Sequence, residues 1–456
     1  MSLRSARQPL SGWGRYPVYE CDVYRPERLD QLSQIVASAP STNLISRGQG
    51  RSYGDASLNQ DRGVVLHDRL DRFIDFDPAT GILHCEAAVT LAEIIDSLLP
   101  RGFFLPITPG TKRISVGGAI AADVHGKNHH RDGTISNQLL DFRLLTGQGE
   151  VLRCSREENV DLFWASTGGM GLTGAILDAR LQLRAVETAY VENTTERCRD
   201  LDTGLSRILE SDRDYEYAVA WIDCLARGRS LGRSVLLRAN AAPLEALPAA
   251  ARNDPHAIRA PWRPSVPIDL PSFALSSFNM KLFNSAFYAA NRDGRRITSY
   301  EQYFYPLDAV GHWNRIYGKK GCLQFQAVLP LSSSREGLVE MLERTVDARR
   351  ASFLAVLKST GPACDGLLSF PLEGTSLALD FPNTGPDVLA LVEDLHEIVL
   401  RHGGRVYLAK DSCLRPDQLR AMYPELGRFQ EIRAKYDPQQ RFSSSMARRL
   451  GLEVAA

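Results

Sequence analysis

The order of apolar and polar positions changes character along the chain. Residues 26–37 (PERLDQLSQIVA) put Leu29, Leu32, Ile35 and Val36 on one face at helical spacing, with Pro26 suited to a first turn. Residues 63–67 read as a strand, and 73–76 with 82–85 as the arms of a hairpin turning at Pro78-Ala79-Thr80-Gly81. Thr90-Leu91-Ala92-Glu93 is a capping box that opens a helix through Leu99. A strand-like FFLPI at 103–107, a hairpin over 139–154 turning at Gly147-Gln148-Gly149, a short helix at 159–164 and a strand at 175–183 follow. Helices and strands mixed in this way, without a long βαβ series, predict an α+β domain up to about residue 190 and not a Rossmann fold.

Beyond that point seven prolines between Pro243 and Pro271 exclude a helix or central strand and predict a long surface loop, a candidate lid. Strand candidates at 217–223 and 234–238 lie before it. From 322 to 410 the pattern is strand (322–329), helix (335–348), strand (353–358), strand (376–381), helix (387–400) and strand (405–409). That order predicts an antiparallel sheet with helices on one face. The remaining tail reads as helical and polar.

Three glycine clusters punctuate these elements. The first, residues 45–55 (ISRGQGRSYGD), places Arg47 and Arg51 among Gly48, Gly50 and Gly54. Glycine lets backbone N–H groups approach a ligand, successive N–H groups form an anion-binding concavity, and arginines add fixed donors. The loop therefore suits a pyrophosphate, although a plain turn has the same composition. The second cluster is 108–130 (TPGTKRISVGGAIAADVHGKNHH) and the third 166–174 (STGGMGLTG). No G-x-G-x-x-G follows a strand and opens a helix, so a dinucleotide would be held in another way. Two G-x-S-x-G matches, around Ser52 and Ser230, lack the strand–turn–helix context of a nucleophile elbow. His125, His129 and His130 with Asp123 admit three readings: metal ligands, a polar loop, or the edge of a cofactor ring with His125 and Lys127 facing a substrate. Neighbouring histidines point apart and no second ligand cluster stands at zinc or iron spacing, which favours the third. Lys410, at a strand end, is either solvated or a proton acceptor of lowered pKa.

Lys+Arg and Asp+Glu both number 54, so the basic excess of a nucleic-acid binder is missing. Eight cysteines without a C-x-x-C argue against a zinc module or a disulfide framework and for a reducing compartment. No apolar run reaches the roughly 18 residues of a spanning helix, and the first residues lack the apolar stretch of a signal peptide. The expectation is a cytoplasmic protein, with peripheral attachment at the inner membrane, its periplasmic face included, left open.

Taken together, RGQGRSYGD, PGTKRISVGGAIAADVHGKNHH, FWASTGGMGLTG, YLAKDS and SSSMARRL, with SGWGR near the N-terminus and WNRIYG at 313–318, resemble one family nearly end to end. It is the decaprenylphosphoryl-β-D-ribose 2-oxidase family, the flavoprotein subunits of a 2-epimerase, within the vanillyl-alcohol oxidase superfamily. The resemblance implies a PCMH-type FAD-binding domain over 1–190, a substrate-binding domain over 191–405 that carries the loop 243–271, and a segment 406–456 returning to the FAD domain. It implies FAD contacts at Ser46, Arg47, Gly48, Gln49, Gly50, Arg51, Ser52, Tyr53, Gly54, Asp55, Ala56, Gly110, Ser115, Val116, Gly117, Gly118, Ala122, Asp123, Val124, His125, Ile176 and Tyr407. Many superfamily members attach flavin to a histidine at the place that Arg51 occupies here, so non-covalent FAD is expected.

The implied reaction oxidises the 2-hydroxyl of a polyprenylphosphoryl-β-D-ribose to a 2-keto sugar lipid. The cofactor takes the hydride while the protein positions the sugar and accepts the proton. Lys410, Tyr53 and His125 are nominated near the ring, and Lys127, Gln326, Lys358, Asp380 and Lys410 for ribose and phosphate. Implied partners are an NAD(P)H-dependent short-chain reductase that completes the epimerisation to arabinose, oxygen or a quinone as electron acceptor, and a membrane surface. Two positions depart from the family: Ala378 replaces a cysteine of mycobacterial members, and Ser376 replaces an asparagine. A flavin oxidase of soluble aldonolactones or alditols and a catalytically silent FAD or sugar-lipid binding protein are the alternatives.

Overall fold

A computed structural model describes residues 5–38, 43–257, 264–271, 275–350 and 352–453. The helix Leu29–Ser38 buries Leu32, Ile35 and Val36, the face its spacing predicts. The capping box at Thr90 is complete: the Glu93 amide donates to Thr90 Oγ1 at 3.2 Å and the Thr90 amide donates to Glu93 Oε2 at 2.8 Å. Both hairpins form, as Phe73–Asp77 with Ile82–Glu86 and as Leu139–Leu145 with Val151–Ser155. Two predicted strands are cut short. Only Phe103–Phe104 pairs, with Arg184–Ala185, because Pro106 has no N–H to continue the ladder. Only Arg405–Val406 pairs at the other site. Beyond it the chain turns, the Lys410 amide donating to the Tyr407 carbonyl at 2.9 Å.

Three main sheets result. A four-stranded sheet runs Ala6–Ser11, Val18–Tyr24, Gly63–Leu66, Leu44–Arg47, its last two pairings parallel. A five-stranded antiparallel sheet contains both hairpins, with Ala175–Gln182 joining them. An eight-stranded antiparallel sheet runs Gly294–Ser299, Tyr190–Cys198, Ser234–Ala241, Tyr217–Ile222, Ala355–Thr360, Gly374–Pro382, Cys322–Pro330, Arg405–Val406. The helices Leu201–Asp214, Ser334–Asp347 and Pro386–Arg401 pack side by side along it.

Side chains alternate across a strand, so register decides which face each residue serves. Gln324 opposes Asp380, Gln326 opposes Ala378 and Val328 opposes Ser376, while Lys358 opposes Ser376 from the other side. Gln324, Gln326, Lys358, Ser376 and Asp380 therefore share one face. Leu323, Phe325, Ala327, Leu357, Leu377, Leu379 and Phe381 fill the other and are buried. The strand Tyr190–Cys198 escaped the sequence reading because its inward positions include Asn193 and Thr195, which mask the alternation. The helices Leu201–Asp214 and Ser277–Ala290 and the strand Gly294–Ser299 were likewise not anticipated.

The proline-rich stretch is less irregular than expected. It forms short helical turns at Leu244–Ala246 and Ala249–Arg252. Near its end, the Val266 amide donates to the Gly311 carbonyl at 2.9 Å and the Leu270 amide to the Arg315 carbonyl at 2.9 Å. Residues 258–263 of the expected lid lie outside the described residues.

The C-terminal segment packs back on the first sheet. The Leu44 amide donates to the Arg441 carbonyl at 2.7 Å, and the Ser443 amide donates to the Leu44 carbonyl at 2.9 Å. Arg449 joins the buried carboxylates of Asp55 (2.7 Å) and Asp411 (2.8 Å) and also donates to the Leu414 carbonyl at 2.7 Å. Burial pushes the Asp55 carboxyl up, with Arg449 offsetting it. Burial acts the same way on Asp411, but Arg449 and the Leu414 amide outweigh it and hold that carboxyl below its usual range. Removing the cation leaves two buried carboxylates unpaired, a loss of about 3–5 kcal/mol. Arg449→Ala is expected to lower the midpoint of thermal unfolding and to weaken FAD retention. Thermal denaturation followed by circular dichroism and by flavin fluorescence checks both.

Candidate functional site

A cavity of about 1330 Å³, mouth included, opens between the glycine loops and the polar face of the eight-stranded sheet. Its floor at one end is the first glycine loop. Among the described residues, the backbone amides of residues 48–52 have no hydrogen-bond acceptor in the protein. Gly50 takes φ 61°, a left-handed turn that a side chain would strain. A Cβ on Gly48 would lie 2.1 Å from Ser115 Oγ, so the loop is pressed against the second glycine segment. Gly110 has nothing within 4 Å of where its Cβ would stand. Unpaired amides in succession around open space are what a pyrophosphate requires. The residues present fit the dinucleotide end of FAD.

The cavity wall contains Ser46, Gly48, Gln49, Gly50, Arg51, Ser52, Ala56, Gly110, Ser115, Gly117, Gly118, Ala122, Val124, His125, Ile176 and Tyr407, all expected to touch the cofactor. Six other expected contacts stand behind that wall. Arg47 folds under its own loop and donates to the Ser11 carbonyl at 2.6 Å and Ser57 Oγ at 3.1 Å. Val116 is core. Gly54 faces the Asp411 carbonyl, 1.8 Å from where a Cβ would be. Asp55 is held by Arg449. Asp123, buried, accepts from Ser369 Oγ and from Cys364 Sγ (2.9 Å). Tyr53 is buried with Trp313, Tyr317 and Cys322. Residues 170–174 supply Met170, Gly171 and Gly174 to the wall, and His67 lies beside Ser46. The third glycine cluster was the sequence signal for the former; nothing in the local sequence marked His67.

Another part of the wall is chemically distinct. Gln326, Lys358, Lys410 and His125 converge there. Gln326 Nε2 lies 3.1 Å from His125 Nε2 and donates to Ser376 Oγ at 3.3 Å. Burial, reinforced by Lys358, keeps the His125 imidazole well below its usual pKa and hence neutral. Its Nδ1 is buried without a partner, while its ring packs 5.3 Å from both Phe370 and Tyr407. Burial also lowers Lys410 to about 8, with Asp380 opposing the fall. Lys358 is lowered to about 8 by burial and then by Lys410. Neither ammonium has a hydrogen-bond or ion-pair partner among the described residues. Two such half-buried cations on one cavity wall call for an anionic ligand.

Three nominated groups are not on this wall. Lys127 donates to the carbonyls of Tyr303 and Phe304 (3.3 Å), its ammonium 4.6 Å from the Tyr303 ring, and so points away from the cavity. Asp380 lies behind Lys410, accepting from Gln324 Nε2 and from Tyr317 Oη at 3.1 Å, and burial raises it to about 6. Tyr53 presents its ring 4.4 Å from the Lys410 ammonium, and burial keeps its phenol protonated. These residues support the site from beneath. The metal reading of the histidines loses its geometry: His129 Nδ1 accepts from the Gly361 amide at 2.9 Å, and His130 Nε2 faces the Tyr215 carbonyl at 3.0 Å. A separate group, His396, Asp411 and Cys413, brings ligand-type atoms within 4.8 Å of one another. There Asp411 already accepts from Arg449 and from the Cys413 and Leu414 amides.

Residues 22–155 match the FAD binding domain family, and residues 382–450 match the D-arabinono-1,4-lactone oxidase family. The chain is 36% identical over 452 residues to decaprenylphosphoryl-β-D-ribose oxidase of Mycolicibacterium smegmatis, covering 97% of both chains. It is 38% identical to an uncharacterized protein of Streptomyces coelicolor over 80% of this chain and 100% of that one. Mouse L-gulonolactone oxidase is 24% identical over 40% of this chain and 43% of its own length. Amide cradle, neutral histidine and half-buried lysines thus sit on a chain that belongs to the decaprenylphosphoryl-β-D-ribose oxidase family of FAD-dependent oxidoreductases.

Proposed function

We propose that this protein oxidises the 2-hydroxyl of a polyprenylphosphoryl-β-D-ribose to the 2-keto sugar lipid, the first half of a 2-epimerisation to the arabinose lipid. The observation that carries this is the pair of ammoniums without a hydrogen-bond or ion-pair partner, Lys358 and Lys410, on the wall of the cavity that also holds the amide cradle. The chemistry that FAD supplies when bound is acceptance of two electrons as a hydride. Lys410, neutral above about 8, takes the hydroxyl proton. Lys358 holds the phosphate, and Gln326 with Ser376 orients the ribose hydroxyls. His125, neutral, offers its unpaired Nδ1 without adding a charge that would disfavour loss of the proton.

In this reading residues 1–190 with 406–456 hold the flavin and 191–405 the sugar lipid. Arg51, its guanidinium 3.9 Å from the Trp13 ring, offers no nucleophile for a flavin bond, so FAD is held non-covalently. An NAD(P)H-dependent short-chain reductase consumes the keto product, oxygen or a quinone reoxidises the flavin, and a membrane surface presents the lipid. The match of residues 382–450 to a lactone oxidase family favours, as a second reading, a soluble aldonolactone substrate.

Anaerobic mixing with a short-chain prenylphosphoryl-ribose is expected to bleach the flavin band, whereas free ribose, alditols and aldonolactones leave it unchanged. Bleaching by the lactones alone would establish the second reading. The amine accepts a proton only when neutral, so kcat/KM is expected to rise with pH through about 8 and then level off. Lys410→Met is expected to lose about 10²–10⁴-fold in kcat/KM and with it the rising limb, measured by flavin reduction across pH. Acid precipitation is expected to release all the flavin to the supernatant; yellow colour retained in the pellet would show a covalent bond.

A further inference from the structure

We propose that the outer face of the helix Ser277–Ala290 docks this protein on an anionic bilayer, the one that holds its lipid substrate; the choice of occupant rests on the function proposed above. Phe278, Leu282 and Phe283 are 78%, 65% and 41% exposed on that helix. Phe278, Lys281 and Leu282 stand at i, i+3 and i+4, one stripe of surface. Ser285, Ala286 and Ala289 continue the stripe as exposed small residues. The helix (SFNMKLFNSAFYAA) contains no acidic residue.

The inner side is firmly seated. Met280 and Asn284 are buried, Asn284 Nδ2 donates to Asp223 Oδ1 at 2.7 Å, and Phe287 packs on Trp221 at 4.6 Å. The Asn279 amide donates to Ser276 Oγ, and Ser277 Oγ donates to the Arg349 carbonyl at 2.5 Å. The exposed rings thus belong to a fixed element whose polar positions are satisfied inward. A protein that exposes three large apolar side chains on such an element leaves their contact for something outside it.

A chain of rings joins this face to the chemistry. Lys410 lies 4.4 Å from the Tyr53 ring, and Tyr53 shares a cluster with Trp313, Tyr317 and Cys322, against which Leu275 and Phe353 pack. Tyr317 meets Phe353 at 6.4 Å, and Phe353 meets Phe283 at 5.7 Å. These buried rings form a packed bridge from beneath Lys410 to Phe283, so the exposed helix face and the sugar end of the cavity belong to one rigid side of the protein. The segment around Ile268, 66% exposed, borders the same cluster, since the Leu270 amide donates to the Arg315 carbonyl in the turn Trp313–Tyr317. Exposed Lys319 and Lys320 follow that turn. Apolar rings beside lysines complement a bilayer surface of anionic headgroups. The tail supplies the reason for docking: every methylene drawn into water is unfavourable, so the site must be brought to the lipid.

The test uses the FAD-loaded protein and flotation with phosphatidylglycerol-containing or pure phosphatidylcholine vesicles. Wild type is expected to float with the anionic vesicles and less with the neutral ones. The double variant Phe278→Asp, Leu282→Asp is expected to lose at least about tenfold of its bound fraction. Leu209→Asp, at an exposed apolar position on the helix Leu201–Asp214, is expected to float as wild type does. Flavin reduction by a short, water-soluble prenylphosphoryl-ribose should be equal in all three, while turnover of a long-chain substrate embedded in vesicles should fall with flotation. The inference is overturned if wild type stays at the bottom of the gradient, or if the double variant floats equally well. It is also overturned if the double variant only converts a solution dimer to monomer, which would assign the face to a second copy. Failure of the short substrate to reduce wild-type flavin would sink the sugar-lipid oxidase instead and leaves the flotation result to be read independently.

Discussion

Arg449 holds together the two loops from which the site is made. One loop ends at Asp55, just past the amide cradle, and the other turns at Asp411, next to Lys410. Both carboxylates are buried, and a buried pair of like charges is tolerable only with a cation between them. The backbone reinforces the arrangement, the Tyr53 amide donating to the Ala409 carbonyl at 3.0 Å. The spacing between the amide cradle and Lys410 is therefore set by Arg449, far along the chain from the first glycine loop. The C-terminal segment is in this sense part of the site, although Tyr407, Ala409 and Lys410 are the positions it or its approach contributes to the wall.

The electrostatics of the histidine and the lysines follow from burial. Burial makes an imidazole neutral and brings two lysines down toward 8. Lys127 shows the contrast. It is as buried, and lowered to about 7, but its ammonium is spent on two carbonyls at the end of the helix Tyr300–Phe304. Among these lysines the difference between a structural and a chemical role lies in what the nitrogen touches.

Much of the architecture was legible from periodicity. The helix at Leu29–Ser38, the capping box at Thr90, both hairpins of the five-stranded sheet and the strand–helix alternation after Cys322 rest on local chemistry: apolar spacing, turn residues and reciprocal caps. The glycine loops could be recognised for the same reason, since glycine is chosen where backbone must approach a ligand. Polar strands such as Tyr190–Cys198 were missed because their inward positions are asparagine and threonine, whose burial depends on neighbours that local sequence does not reveal.

The sequence by itself determined the α+β class, the glycine segments that form the cradle, and, through resemblance, the flavin chemistry and the residues of YLAKDS. Tertiary structure alone decided which nominated residues reach the cavity. Strand register put Gln326, Lys358 and Ser376 on the polar face, and the same register set Asp380 two positions too far along, behind Lys410. The direction of a side chain after a turn sent Lys127 to the carbonyls of Tyr303 and Phe304, and Tyr53 beneath the amine. Facing and depth are properties of packing between segments far apart in the chain, and no window of residues contains them.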